Sequence, residues 1–203
     1  KSSDQLELSA GWGGGIGLTG TLGITFNNFS IKNIFRKSSW DPLPTGDGQK
    51  LSLRYQSNGR YFRSVNFSFT EPWFGGKKRN SFTFNVFNTK FTNAYNPYTG
   101  RYDRTFVDSS YLSTAGATIA FGKMLKWPDD FFSLVTSLNY IQYRAKNYAI
   151  FPSFSTGISN NINLKFALQR SSIDQPIFPR SGSNFLASAA FTPPWSYIQG
   201  INQ

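Results

Sequence analysis

Apolar and polar residues alternate with a period of two along almost the whole of this 203-residue chain, and no other feature constrains its fold as strongly. In the run Ser64–Thr70, Val65, Phe67 and Phe69 are separated by small polar residues. Successive side chains of a β-strand point to opposite faces, so each such run predicts a strand with one apolar and one polar face. Comparable runs begin near Leu6, Leu18, Leu51, Phe82, Ile119, Leu134, Ile158 and Phe185. The pattern predicts an all-β antiparallel fold of about nine strands, each of roughly 8–12 residues.

Glycine and asparagine mark the tight connections. Asn58 and Gly59 stand between two alternating runs, and an Asn-Gly pair there predicts a hairpin with a type I′ turn. Gly15–Gly20 matches the G-x-G-x-x-G spacing of nucleotide-binding loops, but a strand rather than a helix follows it. The glycines therefore predict a hairpin and not a nucleotide site. One short helix is expected, at Ile31–Lys37.

The composition of the two faces favours a membrane barrel. The polar faces carry Ser, Thr, Asn and Gln with few charges, the apolar faces are almost free of charge, and no apolar run approaches the roughly 18 residues of a transmembrane helix. Aromatic residues gather near strand ends, as in the girdles of a membrane barrel. They are Trp12, Phe26, Tyr55, Phe69, Trp73, Phe91, Phe121, Trp127, Tyr143, Phe191 and Trp195. A soluble sandwich or barrel is the alternative.

Charge and missing residue types limit the chemistry. The net charge is +11, which indicates an anionic neighbour such as nucleic acid, lipid head groups or lipopolysaccharide. The chain has no His and no Cys, which excludes Ser-His-Asp and Cys-His catalysis and the usual zinc sites. Its carboxylates lie mostly in separate connections, so no paired-carboxylate site is predicted. We expect a protein that is not an enzyme and that has no cofactor and no metal.

Two motifs and the predicted first hairpin resemble features of a specific family. At the predicted end of the fourth strand, Thr70-Glu71-Pro72-Trp73-Phe74 resembles the Thr-x-Pro-aromatic-Phe element of the BamA family of bacterial barrel-assembly proteins. The start of the chain, Leu6–Phe26, looks like the first hairpin of the BamA barrel. Asp174–Gly182 resembles the family's exit from the eighth strand, with motif residues Pro176, Phe178, Pro179, Arg180 and Gly182.

The resemblance implies a transmembrane β-barrel of sixteen strands, of which residues 1–203 supply about the first nine. The POTRA domains and the remaining strands of such a protein are expected outside this chain. The family's Val-Arg-Gly-aromatic loop motif does not occur in the sequence, and the connection Asn28–Gly48 is longer than the family's usual short turn.

The resemblance also implies a function in outer-membrane protein assembly. In such barrels the first strand pairs weakly with the last and can open sideways, and a strand of a client protein then adds to the exposed edge. The implied partners are client outer-membrane β-barrel proteins, BamD-like accessory lipoproteins, outer-membrane lipid and lipopolysaccharide, and the rest of the same barrel. A TamA-type assembly factor, a porin or secretion conduit, and a soluble β-barrel that binds nucleic acid are the alternatives. Aromatic residues on faces without Lys or Arg argue against the last, so no nucleic acid is expected as a partner.

The first strand is expected to be a working edge rather than a fixed structural pair. Its lumen side is small or polar, and a glycine run follows it. The lateral-gate residues that the resemblance assigns are Leu6, Glu7, Leu8, Ser9, Ala10, Gly11, Trp12 and Gly13.

The alternation and the loop lengths give expectations for the two faces and the two sides. Phe84, Leu164 and Phe166 are expected to face lipid, and Asn85, Asn163 and Lys165 the lumen. If the first strand runs outward, the periplasmic connections are Asn28–Gly48, Trp73–Asn80, Lys123–Phe131 and Gln175–Gly182. The extracellular connections are then Ser57–Arg60, Thr92–Ser109 and Ala145–Ser153.

Overall fold

The structure is a computed structural model that describes residues 4–13, 17–40, 43–76, 80–93, 96, 98–148, 155–175 and 177–194. These residues form nine strands in one antiparallel sheet, and each strand pairs with the next in the sequence. The strands are β1 (Gln5–Gly13), β2 (Gly17–Phe29), β3 (Gln49–Ser57), β4 (Phe62–Glu71), β5 (Asn80–Thr92), β6 (Tyr111–Met124), β7 (Phe132–Lys146), β8 (Gly157–Ser171) and β9 (Asn184–Phe191). The predicted all-β antiparallel fold is confirmed, and the sheet is open.

The connections of this meander fall alternately at two ends of the sheet. We call the end with the β1–β2, β3–β4, β5–β6 and β7–β8 connections the upper end, and the opposite end the lower end. The described parts of the four connections expected to be periplasmic lie at the lower end, and those of the three expected to be extracellular lie at the upper end. That the lower end faces the periplasm and the upper end the outside of the cell stays a prediction.

Register places like residues side by side across the sheet. One apolar row consists of Phe26, Leu51, Phe69, Phe84, Ile119, Leu138, Leu164 and Phe191. The adjacent row on the other face consists of Thr25, Ser52, Ser68, Asn85, Thr118, Asn139 and Asn163. The sheet therefore has an apolar face and a polar face, divided as the alternation predicts.

The apolar band crosses the strands obliquely. The row that holds Ala10 and Gly20 at β1 and β2 reaches Arg63, Lys90 and Arg144 at β4, β5 and β7. The band thus ends lower on the later strands, where it extends downward through Leu134, Leu168 and Ala187. Such a drift is the pattern that tilted barrel strands give when they cross a layer of constant height.

No second layer covers the apolar face in the described part of the chain. Its side chains are open, with Leu8 82%, Leu53 51% and Leu138 49% exposed, and the buried apolar side chains described are Phe29, Pro44 and Ala145. A soluble sandwich needs a second sheet against this face, and the described residues form only one. Among the described residues, no helix is long and apolar enough to cross a membrane.

Two local predictions are wrong. The β3–β4 connection is a four-residue loop in which only Gly59 has a positive φ (77°), so it is not a type I′ turn. The side-chain oxygen of Asn58 instead accepts from the amides of Arg60, Tyr61 and Phe62 at 2.8–3.0 Å. Ile31–Lys37 is not a helix, and one 3-10 turn lies at Lys37–Ser39.

The physical reason for the missing helix is side-chain competition for backbone groups. Ser30 Oγ accepts from the amide of Asn33 at 3.2 Å and donates to Asp47 at 2.7 Å, while Asn33 Nδ2 donates to the carbonyl of Thr45 at 2.8 Å. These bonds fold the segment into a compact loop, because short polar side chains offer the backbone an alternative to helical bonding.

The strand lengths and two girdle residues also differ from expectation. Strands β2 and β5–β8 have 13–15 residues, longer than the roughly 8–12 that the alternation predicts. Phe91 and Tyr143 lie on the polar face, where the Phe91 ring packs 5.0 Å from that of Phe62. The girdle assignment is therefore wrong for these two. Gly15, Lys77–Arg79, Pro176 and Trp195 lie outside the described residues.

Candidate functional site

Strand β1 lies at one edge of the sheet. It contains all eight residues predicted for the first strand, Leu6–Gly13, and pairs with β2 at nine positions. Within the described part of the chain its other side has no partner strand. Leu8 and Trp12 are each 82% exposed. The unpaired N–H and C=O groups of such an edge can template another strand.

Glu7 links β1 to β3 across β2. In register, Glu7 stands beside Gly23 of β2, and Gly23 beside Arg54 of β3. Oε1 of Glu7 lies 2.8 Å from Nη2 of Arg54. A Cβ at position 23 would approach Oε2 of Glu7 to 3.1 Å and its Cβ to 3.2 Å, so glycine makes room for the carboxylate to cross. Both side chains are about half exposed, so the pair contributes on the order of 0.2–1 kcal/mol.

The rest of the polar side of β1 offers few contacts. Ser9 Oγ donates to Glu7 Oε1 at 3.5 Å, the limit of a hydrogen bond. Gly11 has no side chain, and a Cβ built there would meet nothing within 4 Å. Strand β1 is therefore held mainly by its backbone bonds to β2 and by the Glu7–Arg54 pair.

The first motif closes the lower end between β4 and β5. Thr70 Oγ1 lies 3.4 Å from Thr83 Oγ1 of the neighbouring strand. Glu71 accepts from the amide of Trp73 at 3.1 Å and from Nε2 of Gln49 at 2.6 Å. The carboxylate thus caps the turn and ties it to the start of β3.

The aromatic end of this motif packs on the apolar face. Pro72 takes the chain out of β4, and the Phe74 ring lies 5.3 Å from that of Phe82 and 5.6 Å from that of Phe121. Gly75 follows with φ 70°, a conformation that glycine adopts without strain. The motif therefore forms a short turn whose Phe74 ring covers the lower ends of β5 and β6.

The second motif is organised by Asp174. Its Oδ1 accepts from the amides of Gln175 and Arg180 at 3.0 Å and of Ser181 at 3.3 Å. The amide of Arg180, then that of Ser181, lowers the pKa of Asp174 below its usual range. The negative charge is thus held by the turn that it caps.

Gly182 is required where this turn re-enters the sheet. Its φ is 97°, and a Cβ there would overlap the carbonyl oxygen of Ser172. Phe178, also at positive φ (59°), and Pro179 form the exposed tip. Pro176, the remaining residue of this motif, lies outside the described residues.

Comparison with models of protein families shows the family to which this chain belongs. The model of the Omp85 superfamily domain matches residues 45–199, which is most of the chain. The chain belongs to the Omp85 superfamily.

A solved structure agrees with this placement of the Omp85 chain. BamA from Haemophilus ducreyi lacking POTRA domains 1–3 is similar in fold, with a TM-score of 0.57 and 22% sequence identity. The match covers 96% of this chain and 35% of that protein, so the Omp85 chain spans about a third of the length of the protein that it resembles. No curated protein matches the sequence.

The sequence did not reveal one residue that organises the lower end of this Omp85 chain. Arg170 of β8 contacts Oδ2 of Asp129 through Nε at 3.0 Å and through Nη2 at 2.9 Å. Its Nη1 donates to Ser172 Oγ at 2.9 Å and to Ser183 Oγ. Its guanidinium also lies 5.7 Å from the centre of the Phe131 ring. Arg170 thereby joins the β6–β7 and β8–β9 connections.

The predicted site residues of the Omp85 chain occupy three separate places. Strand β1 is at one edge, the first motif lies at the lower end between β4 and β5, and the second between β8 and β9. Neither Arg170–Asp129 nor Glu7–Arg54 could be paired from sequence, because each joins residues more than forty positions apart. The described residues contain no group of three His, Cys, Asp or Glu that could hold a metal ion.

Proposed function

We propose that this Omp85 chain supplies the first strands of an outer-membrane barrel that folds and inserts client β-barrel proteins. Strand β1 is the lateral gate in this proposal, and a client strand adds to its free edge through main-chain hydrogen bonds. No bond is cleaved. The driving force is client folding, because each unpaired backbone group in lipid costs several kcal/mol. The POTRA domains and the closing strands belong to the rest of the same protein.

The observation that carries the proposal is the weak lateral attachment of β1. Its polar side has one ion pair, Glu7–Arg54, between side chains that are about half exposed. Ser9 and Gly11 add almost nothing. Beyond its backbone pairing with β2 the strand has few side-chain contacts, and its other edge is open to a further strand in the described part of the chain, which suits an edge that exchanges partners.

The charge of the polar face favours assembly over conduction. A conduit selects its cargo with charged side chains around the pore. Glu7 and Arg54 neutralise one another on this face, and hydrogen-bonded neutral side chains such as Thr118, Asn139 and Asn163 occupy much of the rest. A lumen of this kind has few free charges with which to select ions.

The proposal places its partners at different parts of the sheet. The uncovered apolar face meets outer-membrane lipid. BamD-like accessory lipoproteins bind at the lower end, where the side chains of Phe35 (94% exposed) and Trp73 (55% exposed) are open. Clients bind at β1.

A reversible lock on β1 tests the proposal. Residues 1–203 contain no Cys, so Ser9→Cys can be paired with a cysteine placed opposite it on the closing strand of the full-length protein, with any other cysteine removed. The matched control is a disulfide between neighbours inside the sheet, Thr118→Cys with Asn139→Cys. Heat-modifiable gel mobility reports barrel folding, and client insertion is measured in proteoliposomes.

We expect the Ser9 lock to leave the barrel folded and to stop client insertion until the disulfide is reduced. The control disulfide is expected to leave insertion unchanged. Normal insertion by the locked, folded protein would contradict the lateral-gate mechanism and favour a conduit.

A further inference from the structure

A basic cavity of about 560 Å³ lies at the upper end of β3–β5, beneath the long β5–β6 connection. Four cationic side chains line it, Arg60, Arg63, Lys90 and Arg104. Of the described residues that line the cavity, only Asp108 is acidic. The cavity therefore has a clear excess of positive charge.

The cavity opens on the apolar face of the sheet, at the height where the apolar side chains of that face give way to charged ones. Arg63 and Lys90 lie in the same row as Ser57, one step above Tyr55 and Val65 on the same side of the sheet. In a membrane barrel this is the border between the acyl chains and the head groups. A molecule in the cavity would therefore have its polar part at head-group level and its apolar part along the sheet.

Aromatic rings hold part of the cavity wall in place. The ring of Tyr102 lies 5.4 Å from that of Tyr61, and the guanidinium of Arg60 lies 5.7 Å from the centre of the Tyr102 ring. These contacts restrict Arg60 before a ligand arrives. A guanidinium restricted in this way loses less entropy when it binds a phosphate.

The surroundings of Asp108 show that the electrostatic potential in the cavity is positive. Its Oδ1 lies 2.8 Å from Nζ of Lys90, and Nζ of Lys146 donates to its backbone carbonyl at 2.9 Å. The hydrogen bond and charge of Lys90, and then the charges of Lys146 and Arg63, lower the pKa of Asp108 below its usual range. The carboxylate of Asp108 is 84% exposed and cannot offset four cations.

We propose that this cavity binds the phosphorylated head group of a lipid in the leaflet that surrounds the upper end of the barrel. The arginines contact phosphate oxygens in the bidentate geometry that guanidinium groups favour. The acyl chains then lie against the apolar face below Tyr55 and Val65. The inference rests on the membrane placement under the proposed function and is independent of the gate at β1.

The test measures binding of diphosphoryl lipid A by native mass spectrometry of the full-length protein in uncharged detergent. The upper variant carries Arg60→Gln, Arg63→Gln and Arg104→Gln. The matched control carries Lys32→Gln, Arg36→Gln and Lys37→Gln, three exposed cations in the β2–β3 connection at the lower end. Both variants lose the same charge, and gel mobility verifies that each is folded.

We expect the upper variant to bind roughly a hundredfold more weakly, since each basic residue near an anionic lipid surface contributes about fivefold. The lower control should bind like the unmodified protein. Asp108→Asn, which removes the acid from the cavity, should strengthen binding and gives a readout even if the upper variant does not fold.

Three results from the variants would overturn the inference. They are equal weakening by the upper variant and the lower control, unchanged binding by the folded upper variant, and weaker binding by Asp108→Asn. Inorganic phosphate in excess distinguishes a lipid site from a site for the free anion. Full displacement of lipid A by it would assign the cavity to free phosphate instead. The Ser9 lock is scored by client insertion, so failure here leaves the gate proposal intact.

Discussion

Strand β1 and the β7–β8 pair are built from the same alternating pattern, yet they are held in very different ways. Strand β1 has nine register pairs with β2 and one lateral ion pair through Glu7. Strands β7 and β8 have fourteen register pairs, and Asn139 receives a bond from Thr118 and donates to Asn163, both at 2.9 Å. Length and side-chain bonding therefore hold the β7–β8 pair more firmly than the β1–β2 pair, so we expect β1 to be the easier of the two to open.

The largest expected effect comes from charging the apolar face of β8. Leu164→Arg should impair barrel assembly by about 2–4 kcal/mol, the cost of Arg near the bilayer midplane. Asn163→Arg, one residue away on the polar face, should be tolerated. Heat-modifiable gel mobility in membranes measures both. Equal tolerance would mean that the apolar face does not meet lipid.

The next largest effect is expected from removing the cations of the two ion pairs, Arg170–Asp129 and Arg54–Glu7. Arg170→Ala should destabilise the folded barrel by about 1–3 kcal/mol, because Arg170 is three-quarters buried and its removal leaves Asp129 without its cation. Arg54→Ala should cost less than about 1 kcal/mol, because its pair with Glu7 is half exposed. Urea unfolding in lipid vesicles measures both variants. An Arg54→Ala cost equal to that of Arg170→Ala would show that β1 is held as firmly as β8.

The smallest effect is local and depends on pH. The pKa of Asp174 is lowered in the folded chain by the amides of Arg180 and Ser181, so its stabilisation is present above the ordinary carboxyl pKa. It is lost as the pH falls through the lowered value. Protection of the Arg180 and Ser181 amides from hydrogen exchange, corrected for intrinsic rates, should fall over that acidic range. Asp174→Asn should remove the pH dependence, and its persistence there would assign it to another group.

The sequence predicted most of the fold because alternation is a local signal. It separated Phe84 from Asn85 and Leu164 from Asn163, as the register requires. It failed where side chains reach beyond their own strand. The Asn58 loop depends on three amides that one side-chain oxygen binds.

The candidate site was less predictable for the same reason. The residues of β1 could be assigned by resemblance, but the Glu7–Arg54 pair could not, since it exists only because Gly23 lies between the two in register. Arg170 has no local signal at all, because its partner Asp129 is brought near by the β7–β8 pairing. Both residues became recognisable only once the register of the sheet was known.

Contact between β1 and a client strand tests the central claim most directly. A single cysteine at Ser9 in β1 or at Asn163 in β8 can be offered to a client that carries one cysteine in its last strand and is stalled during insertion. Both positions lie on the polar face, so they differ mainly in their place in the sheet. We expect a disulfide from Ser9→Cys and none from Asn163→Cys. Equal cross-linking at the two positions, or none at Ser9 while insertion proceeds, would contradict the assignment of β1 as the edge that receives clients.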